Sequence, residues 1–137
     1  MASRWEPVYP DTLPWDVRLV SVVDDSEGFR VLVIDKDFFV YGVYADPVFY
    51  RRATCLYDAH FGDSPVQRGD SRGLMFEVHD SELVAVLRQT TDIGHTVDVA
   101  VRHYALCFWT EERIDIVSRS PVSVRAAGDR APDGRLR

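Results

Sequence analysis

The sequence predicts an α+β fold, in which a mostly antiparallel sheet of about six strands carries two helices packed on one face. Short runs of β-branched and aromatic residues, bounded by turn-forming residues, occur in residues 17–44 and 96–118 and are typical of strands. Two segments between these runs repeat apolar residues at helical spacing. The predicted order is β-β-β-α-β-α-β-β-β. Because helices and strands do not alternate throughout, this order favours an antiparallel sheet over a doubly wound α/β fold.

The length of 137 residues fits a single domain, which we assign to residues 17–124. Residues 1–16 interleave prolines with aromatic residues, a composition that indicates an extended arm without regular structure. This arm either folds back over the sheet and buries its rings or offers them to a partner. Residues 125–137 are mostly Ala, Gly, Arg, Asp and Pro, so we expect a disordered tail.

Three strands are expected at the start of the domain. Residues 17–23 form a β-branched run that ends in a turn cluster at residues 24–28. Residues 29–34 give the return strand, and residues 38–44 give a third strand after a short polar break. An antiparallel meander is the simplest arrangement of three such strands.

The segment that begins at Asp46 and Pro47 predicts the first helix. Aspartate is a good N-cap, and proline suits the first helical position, where its missing N–H costs nothing. We expect this helix to end at Phe61, because Gly62 can supply a left-handed cap. Its inward face is formed by residues at helical spacing, namely Phe49, Ala53, Leu56 and His60.

A second helix is expected after a polar loop at residues 62–73 and a strand at residues 74–79. Asp80 is the expected cap of this helix and Gly94 its end. Its buried face consists of Leu83, Val84 and Leu87.

The last third of the domain returns to a strand pattern. Apolar residues alternate within residues 96–109 but change parity near His103, which predicts a bulge or a corner there. Residues 113–118 form a further strand, which Pro121 ends or kinks.

The composition limits the classes of function. A formal net charge of -6 disfavours sequence-independent binding to nucleic acid or to anionic lipid. No apolar run approaches the roughly 20 residues of a membrane span, and the N-terminal residues do not resemble a secretory signal. We therefore expect a cytoplasmic protein in which Cys55 and Cys107 are reduced, buried thiols.

The sequence contains no CxxC, HExxH or GxSxG motif, so it predicts no metal site and no cofactor. His103 and Cys107 share a strand face, but roughly 13 Å of strand separates them, too far to chelate one ion. If the chain is an enzyme, the candidate catalytic side chains are a cluster at Asp58 and His60 beside Asp63, a second cluster at His79 and Asp80, and the side chains of His103 and Tyr104.

Acidic residues among surplus aromatic residues are typical of a protein interface toward a basic partner. The preferred hypothesis is a small bacterial binding or regulatory protein that acts by protein–protein contact, for example an immunity-type protein that masks a basic toxin. The residues expected to contact the partner are Trp5, Trp15, Asp35, Asp37, Tyr44, Asp46, Tyr50 and Trp109.

Two alternative functions stay open at this point. One is a small pocket enzyme or small-molecule-binding domain, which requires at least two of the candidate catalytic side chains to converge in one cavity. The other is a homodimeric structural subunit that pairs through the edge of the three-stranded meander or through the aromatic arm.

Overall fold

Two antiparallel β-sheets form the fold, and the described residues contain one α-helix. A computed structural model describes residues 4–9, 12–13, 16–53, 74–90, 100–108 and 112–126. In chain order, the elements are β1 (Arg4–Val8), β2 (Arg18–Asp25), β3 (Gly28–Ile34), β4 (Val40–Ala45), β5 (Pro47–Ala53), β6 (Met75–His79), α1 (Glu82–Thr90), β7 (Arg102–Cys107), β8 (Arg113–Ser118) and β9 (Ser123–Ala126).

The two sheets pack face to face as a β-sandwich. One is a five-stranded sheet in the order β1-β6-β7-β8-β5, and the other is a four-stranded sheet in the order β2-β3-β4-β9. Their shared core includes Val31, Val33 and Val43 from the four-stranded sheet and Leu106, Ile114 and Ile116 from the five-stranded sheet. The predicted α+β fold with two helices on one face is therefore wrong. A second sheet, rather than a pair of helices, covers the apolar face of the first.

The predicted three-stranded meander is present as β2, β3 and β4. These strands pair antiparallel, with Val31 opposite both Val22 and Val43. The turn between β3 and β4 is longer than expected, because β4 begins at Val40 rather than at Phe38, and Phe38 adopts a positive φ of 65° within the turn.

The helix predicted from Asp46 is wrong over the residues that the structure describes. Pro47–Ala53 is strand β5, which pairs with β8. The amide of Asp46 donates to Ser118 Oγ (3.1 Å), and its carbonyl accepts from the amide of Arg119 (2.9 Å), so Asp46 caps no helix. Pairing with β8, together with the β-branched and aromatic residues of this segment, outweighs a helical spacing that rested on few residues. Residues 54–61 of the predicted helix lie outside the described residues.

The second predicted helix corresponds to α1. Leu83 and Leu87 are buried, as expected. The cap, however, is Ser81 rather than Asp80: Ser81 Oγ accepts a hydrogen bond from the amide of Val84 at 3.1 Å. Asp80 instead turns the chain with a φ of 54°.

The remaining predictions concern the ends of the chain and β7. Within the expected arm, Arg4–Val8 is an edge strand, where the missing N–H of Pro7 is tolerated. Arg125 and Ala126 belong to β9, whereas residues 127–137 are not described. The bulge expected near His103 is absent from β7, because its register with β8 is continuous from Arg102 to Cys107.

Candidate functional site

A pocket of about 640 Å³ opens where β6 ends and α1 begins. Its lining includes Glu77, His79, Ser81, Ala85, Arg102 and His103. Apolar groups and side chains of both charges thus surround one concave space, the usual composition of a small-molecule site.

The turn from β6 into α1 presents Ser81 to this pocket. Asp80 adopts a left-handed conformation, which aspartate tolerates better than most residues and which reverses the chain within one residue. Ser81 then caps α1, and its carbonyl accepts the amide of Ala85 at 3.1 Å. In any α-helix the first amides have no acceptor within the helix, so the N–H groups of Glu82 and Leu83 point out of the helix end beside Ser81.

Three side chains form a hydrogen-bonded relay that leads from the pocket into the protein. Ser81 Oγ lies 2.7 Å from His103 Nδ1, and His103 Nε2 lies 2.6 Å from Asp115 Oδ1. His103 is 2% exposed and Asp115 is 1% exposed, whereas Ser81 is partly buried at the pocket wall. We refer to these three side chains as the Ser81–His103–Asp115 relay.

The ionised carboxylate of Asp115 fixes the direction of the relay. Burial alone would raise the pKa of Asp115, but the hydrogen bond from His103 and the charge of Arg113 outweigh burial and lower the pKa to about 2. A carboxylate accepts hydrogen bonds only, so His103 carries a proton on Nε2. In the neutral imidazole Nδ1 is then an acceptor, and the hydroxyl of Ser81 donates to it.

Two arginines also contact Asp115. Arg113 donates to it from Nε (3.1 Å to Oδ2) and from Nη2 (3.0 Å to Oδ1), and Arg51 donates from Nε at 3.1 Å. Arg113 is 1% exposed and its guanidinium carbon lies 5.0 Å from the centre of the Trp5 ring. Multiple charged donors keep the carboxylate ionised although it is buried.

Cys107 lies beside Arg113 in the β7–β8 register and is a free thiol that is 1% exposed. Burial raises the pKa of the Cys107 thiol to about 12, although the charge of Arg113 opposes that change. A thiol with this pKa is not a nucleophile at neutral pH. Cys55 lies outside the described residues.

His79 lies between two carboxylates on the face of the five-stranded sheet opposite to His103, because it shares the face of Glu77, whereas His103 is paired with Val78. Its Nε2 is 3.7 Å from Glu6 and its Nδ1 is 3.7 Å from Glu77. Both distances exceed hydrogen-bond length, and Nε2 is buried without a hydrogen-bond partner among the described residues. Nε2 of His79 is thus a buried polar atom without a partner among the described residues, and it takes no part in the contacts of His103.

The candidate catalytic residues separate into three groups. His79 and His103 are both among the residues around the pocket, but their side chains lie on opposite faces of the five-stranded sheet. Tyr104 is 2% exposed and its ring belongs to the core between the two sheets, away from His103 on the opposite face of β7. Asp58, His60 and Asp63 are not described.

The expected partner-binding residues lie on different faces of the sandwich. Asp35 and Asp37 lie within the β3–β4 turn. Tyr44 lies on the outer face of the four-stranded sheet, with the guanidinium carbon of Arg125 3.8 Å from its ring centre. Trp5 packs on Phe76 on the far side of the five-stranded sheet.

Two other members of the expected interface have partners of their own. Tyr50 packs on Phe29 with ring centroids 4.8 Å apart, and the backbone of Asp46 is bound by Ser118 and Arg119 at the crossing between the sheets. Trp15 and Trp109 fall in parts of the chain that the structure does not describe.

Sequence reasoning missed Ser81, Asp115 and the two arginines as members of a site. One signal was present: Arg113, Asp115 and Val117 alternate with isoleucines along β8, which predicts charged side chains on one face of a strand. The sequence does not show that β8 is buried on both faces. It therefore does not show that the carboxylate of Asp115 faces His103.

Within the described ranges no group of three or more metal-ligating side chains occurs, and none of the helices there is long and apolar enough to cross a membrane. Comparison of the chain with protein-family models, with curated proteins and with solved structures finds no match in any of the three. The geometry of the pocket is therefore the basis for assigning a function.

Proposed function

We propose that this chain is a small-molecule-binding domain with an enzymatic site, and that the pocket between β6, β7 and α1 is that site. The observation that supports this proposal is that Ser81 and His103, whose side chains are hydrogen-bonded at 2.7 Å, both line one pocket of about 640 Å³. Sites of this kind combine an apolar wall with a few polar groups that orient the ligand.

The polar groups of the pocket suit a small ligand that carries a carbonyl or carboxyl group. Ser81 supplies a hydroxyl held by His103 at 2.7 Å. Arg102 is also among the residues around the pocket, and its guanidinium lies 3.9 Å from the carboxylate of Glu77. The apolar wall includes Val84, Ala85 and Val101.

Ligand-observed saturation-transfer NMR on the full chain, with a panel of small esters, amides and carboxylic acids, tests this proposal. Ala85 is exposed and lines the pocket, so Ala85→Trp fills the cavity without disturbing the core. The matched control is Val86→Trp, since Val86 is 47% exposed on the same helix and does not line the pocket. Binding that is lost in Ala85→Trp and retained in Val86→Trp supports the pocket. Absence of binding, or equal binding to both variants, contradicts it.

A second candidate function is protein–protein contact through the aromatic turn, which we define as residues 35–39. Phe38 and Phe39 are 61% and 52% exposed, a large apolar exposure for adjacent residues. The carboxylate of Asp35 accepts the amides of Asp37 and Phe39, both at 2.9 Å, so the turn presents its rings on a rigid backbone. Rigid aromatic anchors are typical hot spots of protein interfaces.

Affinity purification from the source cells, with the wild type and Phe39→Ser as baits, tests this second function. The candidate predicts a basic partner that the wild type retains and Phe39→Ser loses, with weaker association in Asp37→Lys at low salt. Asp35 is unsuitable for charge reversal because its carboxylate holds the turn together. Retention that is the same for Phe39→Ser contradicts a contact through the aromatic turn.

A further inference from the structure

We propose that Ser81 is an acyl-accepting nucleophile and that the substrate class of the pocket is small carboxylic esters. This inference rests on the proposed function, because it needs the pocket to admit the ester. It depends on four features that meet at one point: the relay, the pocket, the sharp turn at Asp80 and the N-terminal end of α1.

The relay has the polarity that nucleophilic catalysis by serine requires. Asp115 accepts from His103 Nε2 at 2.6 Å, and His103 Nδ1 faces Ser81 Oγ at 2.7 Å. In the familiar serine hydrolase triad the carboxylate contacts Nδ1 and the serine contacts Nε2. In this chain the contacts are reversed: Nε2 contacts the carboxylate and Nδ1 contacts the serine. General-base catalysis requires only that the ring nitrogen facing the serine carries a lone pair, and Nδ1 does so here.

The start of α1 provides donors for the negative charge that develops during attack. The amide of Val84 already donates to Ser81 Oγ at 3.1 Å. The N–H groups of Glu82 and Leu83 have no acceptor within the helix, and the helix dipole adds partial positive charge at this end. Backbone N–H pairs of this kind stabilise the oxyanion of a tetrahedral intermediate.

The reaction proceeds in two balanced steps. Ser81 Oγ attacks the ester carbonyl carbon and its proton passes to His103 Nδ1; the C–O bond to the alcohol then breaks and the leaving oxygen takes that proton. This step leaves an acyl ester on Ser81 and releases the alcohol. Water next attacks the acyl carbon, its proton passes through Nδ1 to Ser81 Oγ, and the carboxylic acid leaves. The sum is an ester and water giving an acid and an alcohol, with Asp115 ionised throughout.

The test uses 4-nitrophenyl acetate as the probe, with acid quenching and peptide mass spectrometry to locate the acetyl group on the full chain. Ser81→Asn is the informative variant, because asparagine keeps a good helix cap and has no nucleophilic hydroxyl. Ser123→Ala is the matched control, since Ser123 is an exposed serine on the four-stranded sheet. Thermal unfolding of each variant checks that it is folded.

The proposal predicts an acetyl group on Ser81 in the wild type and in Ser123→Ala, and complete loss of that label in Ser81→Asn. A label confined to amines such as Lys36, or spread equally over several serines, overturns it. A chain that binds the ester panel in the pocket but is never acetylated at Ser81 overturns this inference and leaves the proposed function standing. If the wild type neither binds the ester panel in the pocket nor is acetylated at Ser81, the proposed function and this inference are both overturned.

Discussion

His103 Nε2 lies 2.6 Å from Asp115 Oδ1, and the two side chains are 2% and 1% exposed on adjacent strands of the five-stranded sheet. A buried carboxylate at this distance does more than neutralise charge. It determines which ring nitrogen of His103 carries a proton, and so which nitrogen faces Ser81 with a lone pair. The chemistry proposed for the pocket depends on this pair.

The lowered pKa of Asp115 predicts that the free energy of unfolding decreases at acid pH. Its pKa is lowered from 3.8 to about 2, so the folded state binds fewer protons than the unfolded state in this range. The stability that results is fully present above about pH 4 and is lost as the pH falls toward 2, an effect of roughly 2 kcal/mol.

Asp115→Asn provides the comparison for that prediction. At pH 7 we expect the variant to be less stable by about 3–5 kcal/mol, because Arg113 and Arg51 lose their buried counter-charge. Urea unfolding at pH 5 and pH 2 should show the gap between wild type and variant shrinking by roughly 2 kcal/mol. A difference in unfolding free energy that stays constant between pH 5 and pH 2 would show that the pKa of Asp115 is not lowered in the folded protein.

Cys107 is predicted to be unreactive in the folded protein. A pKa raised from 9.0 to about 12 reduces the thiolate fraction at pH 8 by a factor of about a thousand, and burial restricts reagent access further. Ellman's reagent should therefore modify Cys107 slowly in the native state and rapidly in guanidinium chloride. The measurement is made in a Cys55→Ser background so that one thiol is followed, and similar rates in both conditions would refute a buried thiol.

Phe38→Asn is predicted to stabilise the protein by up to about 1 kcal/mol. A non-glycine residue at a φ of 65° is strained, and asparagine tolerates this conformation better than phenylalanine. Little apolar contact is lost, because Phe38 is 61% exposed. Thermal unfolding measures the effect. A lower Tm would mean that the ring of Phe38 contributes packing that outweighs the strain.

Local patterns were sufficient for several elements of the fold. The meander of β2, β3 and β4 follows from β-branched runs separated by turn clusters, and strand β8 has the predicted bounds of residues 113–118. The buried face of α1 follows from the spacing of Leu83 and Leu87. In these elements the local pattern and the tertiary packing agree, which makes sequence reasoning reliable.

Strand β5 shows where local reasoning fails. An aspartate followed by proline is a good start for a helix, but proline also suits the first residue of a strand. Arg51 donates a hydrogen bond to Asp115, and Arg52 donates one to Glu112, across the β5–β8 pair. These contacts form only when the two strands are paired in the folded protein. The pairing of β5 with β8 also places β5 in a different sheet from β4, and the sequence pattern does not predict this division.

The candidate site was predicted in part. His103 was identified from residue type, yet its association with Ser81 and Asp115 depends on three segments of the chain, two strands and the start of α1. Ser81 caps α1, a position that the sequence assigned to Asp80. Its second contact, to His103, comes from the packing of α1 on the five-stranded sheet, where Leu83 and Leu87 cluster with Val117 of β8, and a helix pattern does not encode that packing.

Long-range ¹H–¹⁵N correlation of the histidine side chains at pH 8 reads the tautomer of His103, on which the chemistry proposed for Ser81 depends. We expect His103 to be protonated at Nε2, with Nδ1 unprotonated and accepting the hydroxyl proton of Ser81. Ser81→Asn should change the Nδ1 shift, whereas Ser123→Ala should not. A His103 ring protonated at Nδ1 would contradict the account, because Ser81 Oγ would then be an acceptor and could not act as the nucleophile.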